Sequence, residues 1–343
     1  MYHAAIIVNR RAGAGPERAD AHARQLEQRL RTFGGVSTVI DFDPRLVDGD
    51  KTKRPRWRAR LEQRLNEGVD RAFVLGGDGT VLAVASVLLG RDVALGIVPL
   101  GTANLLARDL NIPQPPSAAV DALAAAATEP NVLRIDVGCV NDSLFLCASM
   151  LGLTTQLAAV RERTRGSGVL RFWARMASAT WRLLRSYPYK RIRLSAHGER
   201  LAFKTRALVV SNNPVVGELR PLPRRPRLDS GELGVYGLHQ SRLHEFPRLI
   251  WRLFHGSWPQ DPRLFHYTAA ALTIDTWGHR KVTLLNDGER LRLKTPLHYE
   301  LLPQALKVLV PVAAQAPDAT VVGAGALDAA SSAERCAVTD AAQ

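Results

Sequence analysis

Cysteine is scarce: Cys139, Cys147 and Cys336 are the only three in 343 residues, and no two form a CxxC pair. A disulfide framework is therefore not expected, and Cys139 and Cys147, in apolar strand-like surroundings, read as buried thiols. Long hydrophobic runs are missing too. No stretch reaches the roughly 20 apolar residues that a spanning helix needs. The N-terminus, Met1-Tyr2-His3 before a short apolar run at 4–8, lacks the basic start of a signal peptide. The expectation is a cytoplasmic protein.

Acid is also in deficit, with 32 Asp and Glu against 46 Lys and Arg, a formal charge of +14. A basic surface attracts phosphate-bearing partners, whether nucleotides, nucleic acid or anionic membranes, without choosing among them. Ordinary solvated faces explain the count equally well. Zinc-finger spacing, a helix-turn-helix signal and RNA-binding motifs are all lacking, so no nucleic-acid partner is expected. The chain has no Ser/His/Asp hydrolase signature, no HExxH helix and no ligand spacing among its nine histidines, so neither hydrolysis nor a protein-bound metal is expected.

What the chain does have is 46% hydrophobic and 23% charged residues, and enough length for two domains that each bury a core. Through residue 131 the pattern alternates. Apolar strands at 4–8, 37–42, 71–75 and 94–98 are separated by helical spacing at 17–30, 56–66, 81–89, 105–110 and 117–128. Such alternation predicts an α/β domain with a parallel sheet covered on both faces. From 132 to 299 the texture is strand-like, at 134–140, 144–148, 192–196, 207–211, 233–238, 271–275 and 281–285, which predicts a second, mainly antiparallel β-rich domain. A helix at 169–185 interrupts it. Residues 312–343 lack a periodic apolar face and read as a disordered tail.

Three glycine-rich turns each follow a predicted strand of the first half: Asn9-Arg10-Arg11-Ala12-Gly13-Ala14-Gly15, Gly76-Gly77-Asp78-Gly79-Thr80, and Gly101-Thr102-Ala103-Asn104. A parallel sheet gathers such turns at one edge, where open α/β folds bind ligands. Glycine has no Cβ to hold a phosphate away, and consecutive backbone N–H groups form an anion site. The three turns are thus candidate walls of a nucleotide pocket. Asp78, set between glycines, could position Mg-ATP or the phosphoryl acceptor, and Thr80 adds a hydroxyl.

The second turn, then the run from Pro99 and Leu100 through Gly101 to Arg108, and far downstream Asn286-Asp287-Gly288-Glu289, resemble the diacylglycerol kinase catalytic-domain family, in particular its soluble bacterial lipid kinases. The resemblance covers residues 4–311. It implies a nucleotide domain related to NAD kinases and phosphofructokinases, a C-terminal β-sandwich, an active site between them, and a last segment, 300–311, returning to the first domain. It also implies ATP with its Mg as cofactor and a lipid alcohol as acceptor. Asn9 to Gly13, Gly76 to Thr80 and Thr102 would bind the nucleotide, and Glu289 would accept the proton, with Asp78 and Asp287 beside the reacting groups. A lipid hydroxyl is a weak nucleophile, so a positioned carboxylate suits the chemistry. From the residues alone, Asn286-Asp287-Gly288 is equally a hairpin turn.

Two departures stand out. Where the family has Asn then Glu after the second turn, this chain has Leu82 and Ala83, which removes one nucleotide or metal contact. In 227–232, similar to a loop that holds a structural Mg ion in some members, Ser230 replaces an aspartate, leaving that site doubtful unless Asp229 or Glu232 substitutes.

Residues 161–193 carry ten basic residues to one acidic, interleaved with Phe172, Trp173, Trp181, Tyr187 and Tyr189. This segment would suit an anionic membrane surface, the inner face for a cytoplasmic protein, or would simply pack on the β-domain. Residues 243–258 are a second amphipathic candidate. Two rivals to a lipid kinase remain at this level: an NAD kinase-like small-molecule kinase, and a catalytically silent lipid-binding regulator. A homodimer is compatible with the sequence, which does not fix oligomeric state.

Overall fold

A computed structural model of the chain describes residues 2–13, 15–43, 55–128, 131–163, 169–215, 224–238, 264–278 and 280–311. The expected tail at 312–343 and the amphipathic segment at 243–258 lie outside these residues.

The first half alternates as β1 (Tyr2–Val8), α1 (Pro16–Thr32), β2 (Gly35–Asp41), α2 (Arg56–Asn66), β3 (Arg71–Gly76), α3 (Asp78–Leu88), β4 (Ala94–Pro99), α4 (Leu105–Asp109) and α5 (Pro116–Ala126). Strands β2, β1, β3 and β4 lie side by side, all parallel. Both faces of β3 and β4 are covered, which is why these strands read as unbroken apolar runs. Helix α1 buries Ala19, Ala23, Leu26 and Leu30, one stripe at helical spacing, and it opens with Pro16 and Glu17 and closes with Arg29 and Arg31.

The second half contains β5 (Val132–Val140), β6 (Ser143–Phe145), β7 (Ala148–Gly152), α6 (Leu153–Arg163), α7 (Val169–Ser186), β8 (Lys190–Ala196), β9 (Glu199–Thr205), β10 (Ala207–Asn212), β11 (Leu233–Leu238), β12 (Leu264–Ala269), β13 (Ala271–Thr276), β14 (Lys281–Asn286), β15 (Glu289–Lys294) and β16 (Leu297–Leu309). One antiparallel sheet runs β12-β11-β10-β7-β14-β15, and it packs on strands β16, β13, β8 and β9 of the larger sheet. Phe145, Leu151, Ile192, Leu208, Val235, Ile274, Leu284 and Tyr299 fill the space between them. The architecture is an N-terminal parallel-sheet α/β domain followed by an antiparallel β-sandwich.

Strand β16 belongs to both halves. Its beginning pairs antiparallel with β13, while Lys307 and Val308 pair parallel with Ala94 and Leu95 of β4. A register shift between Leu302 and Leu306, with Gln304 at φ 49°, marks the change.

The single strand expected at 144–148 is instead two, broken at Leu146 and Cys147, because the amides there turn to the Asp287 carboxylate. Strands β9, β12, β15 and β16 and helix α6 escaped the sequence reading, although 300–311 was expected to return to the first domain. β9, β12 and β15 stand at sheet edges, where half the residues face water and the apolar signal is diluted. Helix α3 begins at Asp78, three residues before its apolar run.

Candidate active site

The three glycine turns meet at the C-terminal ends of β1, β3 and β4, held together by short contacts between all pairs. Asn9 Nδ2 donates to Thr80 Oγ1 at 2.8 Å, joining the first turn to the second. Asp78 Oδ1 accepts the Leu105 N–H at 2.8 Å, and Leu100 N donates to the Gly76 carbonyl at 2.9 Å, joining the second to the third. Gly13, at φ 62°, places its α-carbon so that a Cβ would fall 2.4 Å from the Leu100 oxygen. A Cβ on Gly101 would fall 2.7 Å from the Gly77 α-carbon. Backbone meets backbone here, so glycine is required at both positions.

Each remaining residue of the turns has a definite place. Asn104 is buried in the left-handed conformation and its amide closes the third turn on Gly101, donating to the carbonyl and accepting the N–H, both at 2.9 Å. Asn9 Oδ1 accepts the Arg11 N–H. Arg10 is drawn away from the turn's mouth, with its guanidinium on Asp20 and Asp41. Arg11 and Thr102 are exposed, and Ala12 packs against the core. Leu82 and Ala83 also pack partly buried against that core, as apolar side chains should. The result is closely packed backbone from three turns, of a kind that suits a polyphosphate.

The hairpin β14–β15 brings Glu289 to this wall. Its turn is Asp287-Gly288, both at positive φ, a two-residue hairpin loop. Glu289 is exposed at the start of β15, and its Oε1 lies 3.1 Å from where a Cβ on Gly79 would stand. The hairpin reading and the site reading thus describe the same residues. Asp78 and Glu289, 211 positions apart, converge on the start of α3.

Asp287, expected beside the reacting groups, lies in the turn that leads into Glu289. Its carboxylate turns inward and accepts three backbone N–H groups, from Leu146 at 2.5 Å and from Cys147 and Ala148 at 2.9 Å. Its own N–H donates to the Ala148 carbonyl. It clamps the hairpin tip rather than facing the mouth. Burial pushes the Asp287 carboxyl above the usual range, against the amides and the Arg225 charge. Burial likewise raises Asp78, against the amides of Leu105 and Asn104.

The loop 227–232 is fastened by direct hydrogen bonds. Buried Asp136 accepts from Gly231 N, Asn213 Nδ2 and Gln304 N, and Asn213 Nδ2 also donates to Ser230 Oγ. Asp229 pairs with Arg227, and Glu232 is exposed. Asn213 Nδ2 thus stands between Asp136 and Ser230, occupying with its hydrogen bonds the oxygens that a cation would need. Among the described residues no group of three or more His, Cys, Asp or Glu could hold a metal.

Sequence reasoning missed Asp109, Asp136, Asn212, Asn213 and Arg225. Arg225 sits among Pro221, Pro223, Arg224, Pro226 and Arg227, where nothing distinguishes a buried arginine from a solvated one.

Comparison with known proteins matches residues 3–140 to the diacylglycerol kinase catalytic domain and residues 155–310 to the YegS C-terminal NAD kinase beta sandwich-like domain. A protein of Citrobacter koseri named probable lipid kinase YegS-like is 29% identical over 71% of this chain and 79% of its own length. One of Salmonella arizonae named probable lipid kinase YegS is also 29% identical, over the same shares. A crystal structure of a diacylglycerol kinase from Bacillus anthracis superposes with a TM-score of 0.63 at 19% identity, covering 91% of this chain and 98% of that one, a likeness of fold. Kinase families use ATP. The chain thus carries a diacylglycerol kinase catalytic domain followed by a YegS C-terminal domain, and is a lipid kinase.

Proposed function

We propose that this chain transfers the γ-phosphoryl group of ATP to the hydroxyl of a diacylglycerol-like or sphingoid lipid presented at an anionic membrane surface. The residues of the three turns hold the triphosphate through backbone amides, and Mg enters with the nucleotide to neutralise charge as it shifts. Glu289 accepts the proton of the lipid hydroxyl while the new O–P bond forms and the bond from the γ-phosphorus to the ADP oxygen breaks. Asp78 keeps the second and third turns in register, and Asp287 holds the hairpin that carries Glu289.

The observation that carries this reading is the Glu289 carboxylate lying over Gly79, within the turn assigned to the phosphates. A carboxylate there serves an acceptor brought to the γ-phosphorus and has no structural partner among the hydrogen bonds seen. Membrane contact is assigned to α7. Among the described residues no helix is long and apolar enough to span a bilayer. The α7 sequence has four arginines and no acid, with Trp181 half exposed.

The test is Glu289→Gln, which keeps size and removes the base. Lipid-dependent ATP turnover should fall by about a thousandfold, within the usual range for loss of a general base. The melting curve should be unchanged. Full turnover in the variant ends the assignment, and ATP consumption by wild type that ignores added lipid favours a silent lipid binder instead.

A further inference from the structure

A path of hydrogen bonds and short chain segments leads from the second glycine turn out to Glu289, whose carboxylate stands back over the same turn without a hydrogen bond to it. From Asp78 it passes to Leu105 N, along the single turn of α4 to Asp109, and then to Arg225. Arg225 passes it to Leu146 and Cys147, whose amides bind Asp287, and the Asp287-Gly288 turn leads to Glu289 above Gly79. The path joins the α/β domain to the β-sandwich, and Arg225 is the long side chain that bridges Asp109 to the 146–147 segment. We propose that Arg225 is a positioning residue for phosphoryl transfer, fixing where the Glu289 carboxylate stands over the nucleotide turn; this rests on the role given to Glu289 above.

The geometry is specific. Arg225 is 5% exposed on its side chain and Asp109 is 9% exposed. Nε donates to Asp109 Oδ2 at 2.8 Å and Nη2 lies 2.6 Å from the same oxygen. Nη1 donates to the Leu146 carbonyl at 2.5 Å and the Asn212 carbonyl at 2.9 Å, and Nη2 faces Cys147 Sγ at 3.4 Å. The guanidinium thus grips the carbonyl side of the peptide at 146–147 while Asp287 grips its amide side. That pincer is what breaks the strand between β6 and β7. A planar fork can hold a carboxylate and two carbonyls together, whereas a lysine ammonium on a flexible stem cannot reproduce the set. Free play in the 146–148 segment passes directly to the hairpin tip, and displacement of a catalytic group by about 1 Å lowers rates by about a hundredfold.

The experiment compares wild type, Arg225→Lys, Asp109→Asn and Glu289→Gln in lipid-dependent ATP turnover, with ATP affinity measured separately by equilibrium binding and folding checked by thermal melts. Arg225→Lys should lower kcat per folded protein at least tenfold with the ATP Kd within twofold of wild type. Adding it to Glu289→Gln should cost no further turnover, because the group being positioned is already gone. Asp109→Asn leaves both carbonyl bonds of Arg225 in place and serves as the second variant, read only in protein whose thermal melt shows it folded, and it should show the same split to a smaller degree. Unchanged kcat in both variants overturns the proposal. So does a fall in kcat matched by loss of ATP affinity, the signature of a general scaffold residue. A fully active Glu289→Gln removes the catalytic reading instead, a separate failure from an Arg225 variant that behaves as wild type beside an inactive Glu289→Gln.

Discussion

Asp78 and Asp287 each sit in a glycine turn, and each spends its carboxylate on backbone amides of another segment. These bonds favour the ionised form, but burial outweighs them, and both pKa values lie above the ordinary aspartate value of 3.8. A carboxyl raised on folding binds its proton more tightly folded than unfolded. Its contribution therefore favours folding fully below about pH 3.8 and is lost as pH rises through the folded value; at neutral pH both charges cost stability. Carboxyl-carbon NMR titration of the two residues should give midpoints above 3.8, and a midpoint below it for either contradicts this balance. Both turns were legible from composition, since Gly-Asp-Gly and Asn-Asp-Gly permit little else. The inward aim of Asp287 was not, because it depends on amides at 146–148 that only the fold delivers.

Long buried runs were readable, and most edge strands were not, although β2, itself at an edge, was. β3, whose buried run extends over Ala72 to Gly76, announces itself, whereas β15, with the pattern Glu-Arg-Leu-Arg-Leu-Lys, has too few apolar positions to stand out. Helix α7 falls between these cases. Its apolar residues recur at helical spacing, Arg171, Arg175, Arg182 and Arg185 are exposed, and Arg185 stands 6.0 Å from the centre of the Trp181 ring. Each basic residue near an anionic surface adds about 1 kcal/mol. Reversing two of them, Arg182→Glu with Arg185→Glu, should weaken binding to phosphatidylglycerol vesicles on the order of tenfold or more, with wild-type binding falling as salt rises. Wild type that fails to bind at any salt concentration contradicts the assignment of α7 to the membrane.

At the scale of the molecule, β16 stitches the two halves, pairing with the sandwich at one end and with β4 at the other. The two-part fold followed from a change of periodicity near residue 132, from alternating strand and helix to strands alone. The site required something further. Periodicity places glycine turns on one edge of one sheet, but it cannot bring Glu289 across from the sandwich, and it gives no sign of the Asp109–Arg225 pair that fastens the approach. Long-range pairing of this kind is a property of packing, and a lone arginine within a basic stretch carries no mark of burial. The most direct measurement is a crystal structure with a non-hydrolysable ATP analogue. The terminal phosphate should rest against residues 76–80 with the Glu289 carboxylate facing it across the cleft; a triphosphate bound away from these turns, or a Glu289 directed to the opposite side of the hairpin, would contradict the account.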